Sequence, residues 1–347
     1  MGRFIQIFLL TNLFIGTCIV VFSNHWFPIW IGLELSTLSI LPLLTINNIS
    51  RSNEATLKYF LLQAFSAALL LNGVIINIWI SNTWDINYTS NFIPNFFIAF
   101  ALIIKLGLAP CHFWLPDVLS GLSFLNGLLI ACWQKIAPLF LLINLNFITS
   151  NEIILTSSIL SVLVGGWGGL NQTSIRKILA YSSISHIGWI VLISIFYSTI
   201  SFIIFLFYII ITTLTFLMCY IMNTKTISSL NNSSLHPINI FIFIISILSL
   251  SGLPPLGGFI NKIIPIIILS FSNNFLIMVP LIIGSLLSLF FYLQISFNTS
   301  LILFPQHSLN IINWRINNHS SLNFLISVLF SFSTLSLILF PLFFSFI

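Results

Sequence analysis

The sequence predicts an all-α integral membrane protein of about eleven transmembrane helices, two of them broken, and three observations carry that prediction. The first is composition: 58% of the 347 residues are hydrophobic and 4% are charged. Soluble domains carry roughly 25% charged residues, so this chain has too few charges to cover a water-facing surface, and its mean hydropathy of +1.14 agrees. The second is a series of long apolar runs, since a helix needs about 20 apolar residues to cross about 30 Å of hydrocarbon. The third is the distribution of charge among the connections.

In chain order, the runs place spans near 4–22, 26–46, 56–80, 92–113, 122–147, 153–170, 178–197, 200–222, 237–271, 275–296 and 322–346. The first follows Arg3 and stops before Asn24 and His25. It shows no small-residue cleavage site and is not Arg- and Ser-rich, so it is expected to stay as a membrane helix and not be removed as a targeting segment. Short polar stretches separate the spans, among them Asn47 to Asn53 and Thr224 to Ser234.

Loop charges test the count. With eleven helices, the side of the N-terminus receives Arg3, Arg51, Lys58, Arg176, Lys177, Lys225 and Arg315, and the other side receives only the acidic Asp85 and Glu152. Adding or dropping one early helix scrambles that split. By the positive-inside rule the N-terminal side is the cytoplasmic or matrix face, and an odd number of helices puts the C-terminus opposite.

Two spans carry their own interruptions. The ninth is too long for one straight crossing and contains Gly252-Leu-Pro254-Pro255-Leu-Gly257-Gly258, where prolines remove backbone donors and glycines add freedom. The fourth ends in Ala109-Pro110-Cys-His112-Phe-Trp-Leu-Pro116-Asp117. Backbone groups freed at membrane depth are tolerated only against protein or a water-filled cavity, and helices broken near the midplane are a transporter feature; the competing reading is a packing kink.

Removing the loop charges leaves Glu34, Lys105, Lys135 and Lys262 deep inside spans. One such charge at the bilayer centre costs about 2.5–3.5 kcal/mol on insertion scales, and the positions are too central for easy snorkelling. Their chemistry suits proton handling. Desolvation disfavours an ammonium and a nearby carboxylate favours it, so a lysine's hold on its proton depends on where its counter-ion stands. Glu34 beside Lys105 is expected to make such a switch, both lying at mid-depth. His112, two helical turns beyond Lys105 if the helix continues, and His186, in a span with hydroxyls on the adjacent turn, are secondary relay candidates. A neutral packing histidine is an equal reading of each. His25, His236, His307 and His319 fall in loops or near interfaces and receive no role.

Other chemistries find little support. Cys18, Cys111, Cys132 and Cys219 form no C-x-x-C pair, so neither a disulfide framework nor an iron–sulfur site is expected. No metal site is expected either. Ten Lys and Arg spread over the chain make no basic patch for nucleic acid. Gly165-Gly-Trp-Gly-Gly169 fits no nucleotide-binding motif and reads as close helix packing. The sequons at Asn48, Asn87 and Asn318 are inexpensive matches in loops rich in Asn and Ser.

Six segments bring a family into view: His25-Trp-Phe-Pro-Ile-Trp30-Ile-Gly-Leu-Glu34, Ala101-Leu-Ile-Ile-Lys105-Leu-Gly-Leu-Ala-Pro110-Cys-His112-Phe-Trp-Leu-Pro116, Trp133-Gln-Lys135-Ile-Ala-Pro138, Gly165 to Gln172, Arg176 to Ser183, and Gly252 to Phe259. In order and spacing they resemble the antiporter-like subunits of respiratory complex I over essentially the whole chain. Cys111 stands where a more apolar residue is commoner.

The resemblance implies an antiporter-like fold lacking the first three helices of the fourteen-helix form. It implies one transmembrane domain over 1–347, with the N-terminus on the matrix side and the C-terminus on the intermembrane-space side of the mitochondrial inner membrane. The 36 phenylalanines fit a chain made inside the organelle. It also implies that Glu34 and Lys105 form the glutamate–lysine pair of a proton relay, with Lys135 the central lysine and Lys262 the distal one. NADH, FMN, iron–sulfur clusters and ubiquinone are expected on other subunits, with no cofactor in this chain. The partners implied are a neighbouring antiporter-like subunit, small membrane subunits on the quinone side, accessory subunits and lipid such as cardiolipin. Two other readings stay open: an assembly scaffold without a proton path of its own, and a standalone cation/proton antiporter.

Overall fold

The computed structural model describes residues 2–45, 49–86, 91–145, 151–233, 237–303 and 323–344. Arg315, His236, His307, His319 and the sequon asparagines Asn48, Asn87 and Asn318 lie outside the described residues. Among the described residues, eight helices are long and apolar enough to cross a membrane. The shorter apolar helices add one crossing before each predicted break region and one at the end of the chain, which recovers the eleven spans. The chain divides into two compact units, Met1–Ser161 with Val191–Ser201, and Val162–Ile190 with Phe202–Ile347.

In the first unit, α1 (Arg3–Phe22) packs on α2 (Trp26–Leu44). Gly16 and Gly32 face each other so closely that a Cβ on either stands 2.8 Å from the other's carbonyl oxygen. Helix α3 (Ser50–Ser81) is inside-out relative to a helix in water. Its buried face carries Thr56, Tyr59, Gln63, Ser66 and Asn77 at helical spacing, while Leu57, Phe60, Leu61 and Phe65 are exposed. That is the pattern expected when lipid, or an apolar neighbour, is the solvent and polar groups must find partners inside. The helix starts at Ser50, six residues before the predicted span, because the charged stretch continues it: Glu54 and Lys58 pair at 2.7 Å one turn apart.

Helix α4 (Phe92–Leu106) is followed by an irregular stretch and by α5 (Trp114–Gly121). Helix α5 reaches the start of α3: Lys58 Nζ lies 3.5 Å from Asp117, and a Cβ on Gly121 meets the Arg51 carbonyl oxygen at 2.8 Å. The predicted fifth span is not one regular helix. Ser123 caps α6 (Phe124–Leu128), a π-turn occupies Leu129–Trp133, and α7 (Gln134–Asn144) completes the crossing. Pro138 cannot donate a backbone hydrogen bond and its ring crowds the carbonyl one turn back; the widened turn sits just before that point. The α1–α2 and α3–α4 connections meet, with the Trp26 N–H donating to Trp84 O at 3.0 Å and the Ile86 N–H to Asn24 O at 3.2 Å. Arg3, Arg51 and Lys58 therefore lie at the opposite end of this unit from His25 and Asp85.

Helices α8 (Asn151–Gly169), α9 (Ile175–Ser194) and α10 (Ser198–Met222) follow. Within the second unit the glycine run does what the sequence suggested. Gly165 lies against the Tyr181 carbonyl and Ser185, Gly168 against the Tyr181 ring, and Gly166 against the Gly284 carbonyl. The loops after α8 and α10 join through Ile175 N–H to Lys225 O at 3.2 Å and Ile227 N–H to Thr173 O at 3.1 Å, which gathers Arg176, Lys177 and Lys225 at one end of this unit. The predicted ninth span breaks into α11 (Pro237–Ser251), a short 3₁₀ turn at Gly257–Phe259 and α12 (Ile260–Phe271). Helices α13 (Phe275–Leu303) and α14 (Asn323–Phe344) complete the unit.

Candidate functional site

Lys105 sits in the last turn of α4. Gly107 adopts φ +73°, the left-handed conformation that ends helices and that glycine takes without a Cβ penalty. Its N–H donates to Ile104 O, and the Leu108 N–H to Ile103 O, both at 3.1 Å. Across the break, the Trp114 Nε1–H donates to the same Ile104 carbonyl at 3.2 Å. The α4 terminus is thus satisfied by its own turn and by the next helix, and a cation in the last turn faces the negative end of the helix dipole. The break begins three residues before Pro110, so the predicted fourth span, 92–113, shortens to end at Leu106.

Lys105 is 4% exposed, and its ammonium has no hydrogen-bond partner among the described residues. Glu34, on α2, is half-buried. Its carboxylate accepts from Thr37 Oγ1 at 3.3 Å. Among the described residues Glu34 and Lys105 form no ion pair. A contact within hydrogen-bond reach is therefore not part of this conformation.

Lys135 lies in the first turn of α7, directly after the π-turn, and is 2% exposed. It and Lys105 border one buried cavity, whose polar wall also includes Thr37, Tyr59, Gln63 and Gln134. The cavity measures about 10 Å³, room for roughly one water centre. The Gln134 amide donates to Ser36 O at 3.0 Å, tying α7 to α2 at the cavity's edge. Four helices, α2, α3, α4 and α7, thus bring two lysines and several neutral polar groups to one buried point. Tyr59, Gln63 and Gln134 were missed in the sequence; their signal is the buried polar stripe of α3 and the residue beside Lys135.

Lys262 belongs to the second unit and lies in the first turn of α12. Its ammonium turns back across the break and donates to Ser251 O, the last residue of α11, at 2.5 Å. Gly252 has φ +76°, and a Cβ there stands 2.8 Å from Lys262 Cδ, so the lysine stem occupies the space a side chain needs. Both broken crossings therefore put a lysine at the carboxyl end of their first half.

The histidines separate. Because α4 stops at Leu106, His112 is not two turns along the Lys105 face. It is buried in the irregular stretch, with Nδ1 3.2 Å from Pro110 O and its ring 4.1 Å from that of Phe113. His186 is buried in α9 with its ring 5.8 Å from Tyr208. His25, given no role, pairs with Asp85 at 2.9 Å on the exposed surface.

Comparison with known proteins agrees with this architecture. The family described as NADH:quinone oxidoreductase/Mrp antiporter, TM, matches residues 23–290, and that described as NADH dehydrogenase subunit 2 C-terminus matches residues 289–344. NADH-ubiquinone oxidoreductase chain 2 of Paracentrotus lividus is 49% identical, the alignment covering 99% of this chain and 98% of that protein. A chain of respiratory complex I from Thermus thermophilus superposes with a TM-score of 0.77 at 23% identity, over 98% of this chain and 80% of that one. A chain of the archaeal membrane-bound sulfane sulfur reductase gives 0.83 at 17% identity, over 97% and 73%. The two structures share the fold, an antiporter-like helical core. Broken crossings, matched family segments and identity along nearly the whole length converge, and the chain belongs to the NADH-ubiquinone oxidoreductase chain 2 family.

Proposed function

We propose that this chain is a membrane-arm subunit of respiratory complex I that moves protons across the mitochondrial inner membrane by a relay of Glu34, Lys105, Lys135 and Lys262. Family membership supports its place in an NADH-ubiquinone oxidoreductase, where NADH oxidation and ubiquinone reduction take place in other subunits. Redox chemistry elsewhere changes the electrostatics at Glu34. That alters how firmly Lys105 holds its proton, since a buried ammonium depends on its nearest anion, and the change passes to Lys135 and then to Lys262. Protons enter from the side of the basic connections, the matrix side by the positive-inside rule, and leave on the other. The partners are the neighbouring antiporter-like subunit and the small quinone-side subunits, with accessory subunits and cardiolipin around them.

The observation that carries the proposal is the shared cavity of Lys105 and Lys135. Two lysine side chains from different helices, buried around one cavity, are costly in a membrane unless function retains them. His112 and His186 are secondary members, each close to hydrogen-bonding or aromatic neighbours.

The test is Lys105→Met in the assembled complex. Assembly and NADH oxidation are expected to persist while the number of protons moved per electron falls. A variant complex with the native proton-to-electron ratio sinks the relay and leaves the scaffold reading as the better account.

A further inference from the structure

Tyr59 stands at the relay without a part in it. It is 1% exposed, its ring lies 5.8 Å from that of Trp114, and its hydroxyl has no hydrogen-bond partner among the described residues. Buried polar groups are nearly always paired, and leaving one unpaired is costly. The Lys105 ammonium, equally buried, shares that condition. Both residues line the same cavity, whose wall is part polar and part apolar and which has room for roughly one water centre. A buried water needs two to four polar partners, and an apolar cavity stays dry; this wall supplies Tyr59, Lys105, Lys135 and Gln63.

We propose that Tyr59 is a positioning residue for proton passage between Lys105 and Lys135, its hydroxyl fixing a single water in the cavity they share. The proposal rests on the relay described above. The water accepts hydrogen bonds from the Tyr59 hydroxyl and the Lys105 ammonium and directs a hydrogen at the Lys135 amine. In the transfer, the N–H bond of Lys105 breaks as a new O–H bond forms, and an O–H bond of the water breaks as a new N–H bond forms on Lys135. Lys105 ends neutral, Lys135 ends as an ammonium, and the water is regenerated. Tyr59 keeps its proton throughout. Its contribution is orientation: with two donors filling the water's lone pairs, the remaining hydrogens are held toward the acceptor.

Tyr59→Phe tests this in the full complex, since it removes the hydroxyl and keeps the ring against Trp114. The expected variant assembles, oxidises NADH, and loses most of the proton-to-electron ratio that Lys105→Met loses. A native ratio in Tyr59→Phe, alongside a reduced one in Lys105→Met, overturns the Tyr59 proposal and leaves the relay standing. A native ratio in both overturns both. An experimental map of the native complex gives the second readout and does not depend on the variant folding. Density for one water within hydrogen-bond distance of Tyr59 Oη and Lys105 Nζ is expected, and a dry cavity overturns the proposal.

Discussion

The Lys262 ammonium and the Ser251 carbonyl oxygen meet at 2.5 Å across the break between α11 and α12, so a side chain from the start of one half-helix caps the end of the other. Carbonyls at a helix terminus have no partner within the helix, and a cation there is stabilised by the dipole. Lys262→Met removes the donor. It is expected to lower the proton-to-electron ratio and to destabilise the subunit by about 1–3 kcal/mol, the cost of a buried acceptor left without its partner. Thermal inactivation of the assembled complex, measured beside the ratio, checks both. A native melting temperature shows that water replaces the ammonium at no cost.

Trp114→Phe removes the hydrogen bond at the other break and trims part of the buried indole. The ring contact with Tyr59 survives, and the bond to Ile104 O is lost. The expected loss is about 1 kcal/mol of stability, with the proton-to-electron ratio preserved because the cavity wall keeps its polar groups. A ratio that falls as far as in Tyr59→Phe means that the α4 terminus, and not the hydroxyl, governs transfer.

Gly166→Leu asks how tightly the second unit is packed. A Cβ at Gly166 stands 2.6 Å from the Gly284 carbonyl oxygen, which is backbone and cannot swing aside. Overpacking costs about 1–3 kcal/mol or more, and small residues are what let membrane helices approach. The variant is expected to fail assembly on a native gel; normal incorporation shows that α8 and α13 separate easily.

Asp85→Asn is the contrasting case. Its partner His25 is exposed, and such ion pairs contribute about 0–1 kcal/mol. The two backbone bonds that join the connections do not involve the carboxylate. Assembly and thermal stability are expected to change by less than about 1 kcal/mol. A collapse of either assigns the carboxylate a role in holding the two loops that the backbone does not share.

Much of the fold was legible because lipid imposes simple rules. Long apolar runs gave the eleven crossings, the proline-bearing runs at 109–117 and 252–258 gave the two breaks, and the basic connections gather at one end within each unit. Two features escaped for local reasons. Pro110 draws attention, but Gly107 ends α4, because the left-handed turn comes before the proline acts; His112 leaves the Lys105 face as a result. The π-turn before Lys135 has only Pro138 to announce it. The lysines were conspicuous as charges in apolar runs, whereas Tyr59 and Gln63 are visible only once the inward face of α3 is known. The gap between Glu34 and Lys105 depends on how α2 and α4 pack, which no local pattern records.

The small size of the cavity between Lys105 and Lys135 bears on selectivity. A space for about one water does not accommodate a sodium or potassium ion together with the shell of waters it carries. A charge that travels by exchange of bonds needs no such room, since no atom crosses. Under the proposed relay, this narrow point favours a charge passed from bond to bond over a hydrated alkali cation, although alkali cations are vastly more abundant than protons at neutral pH.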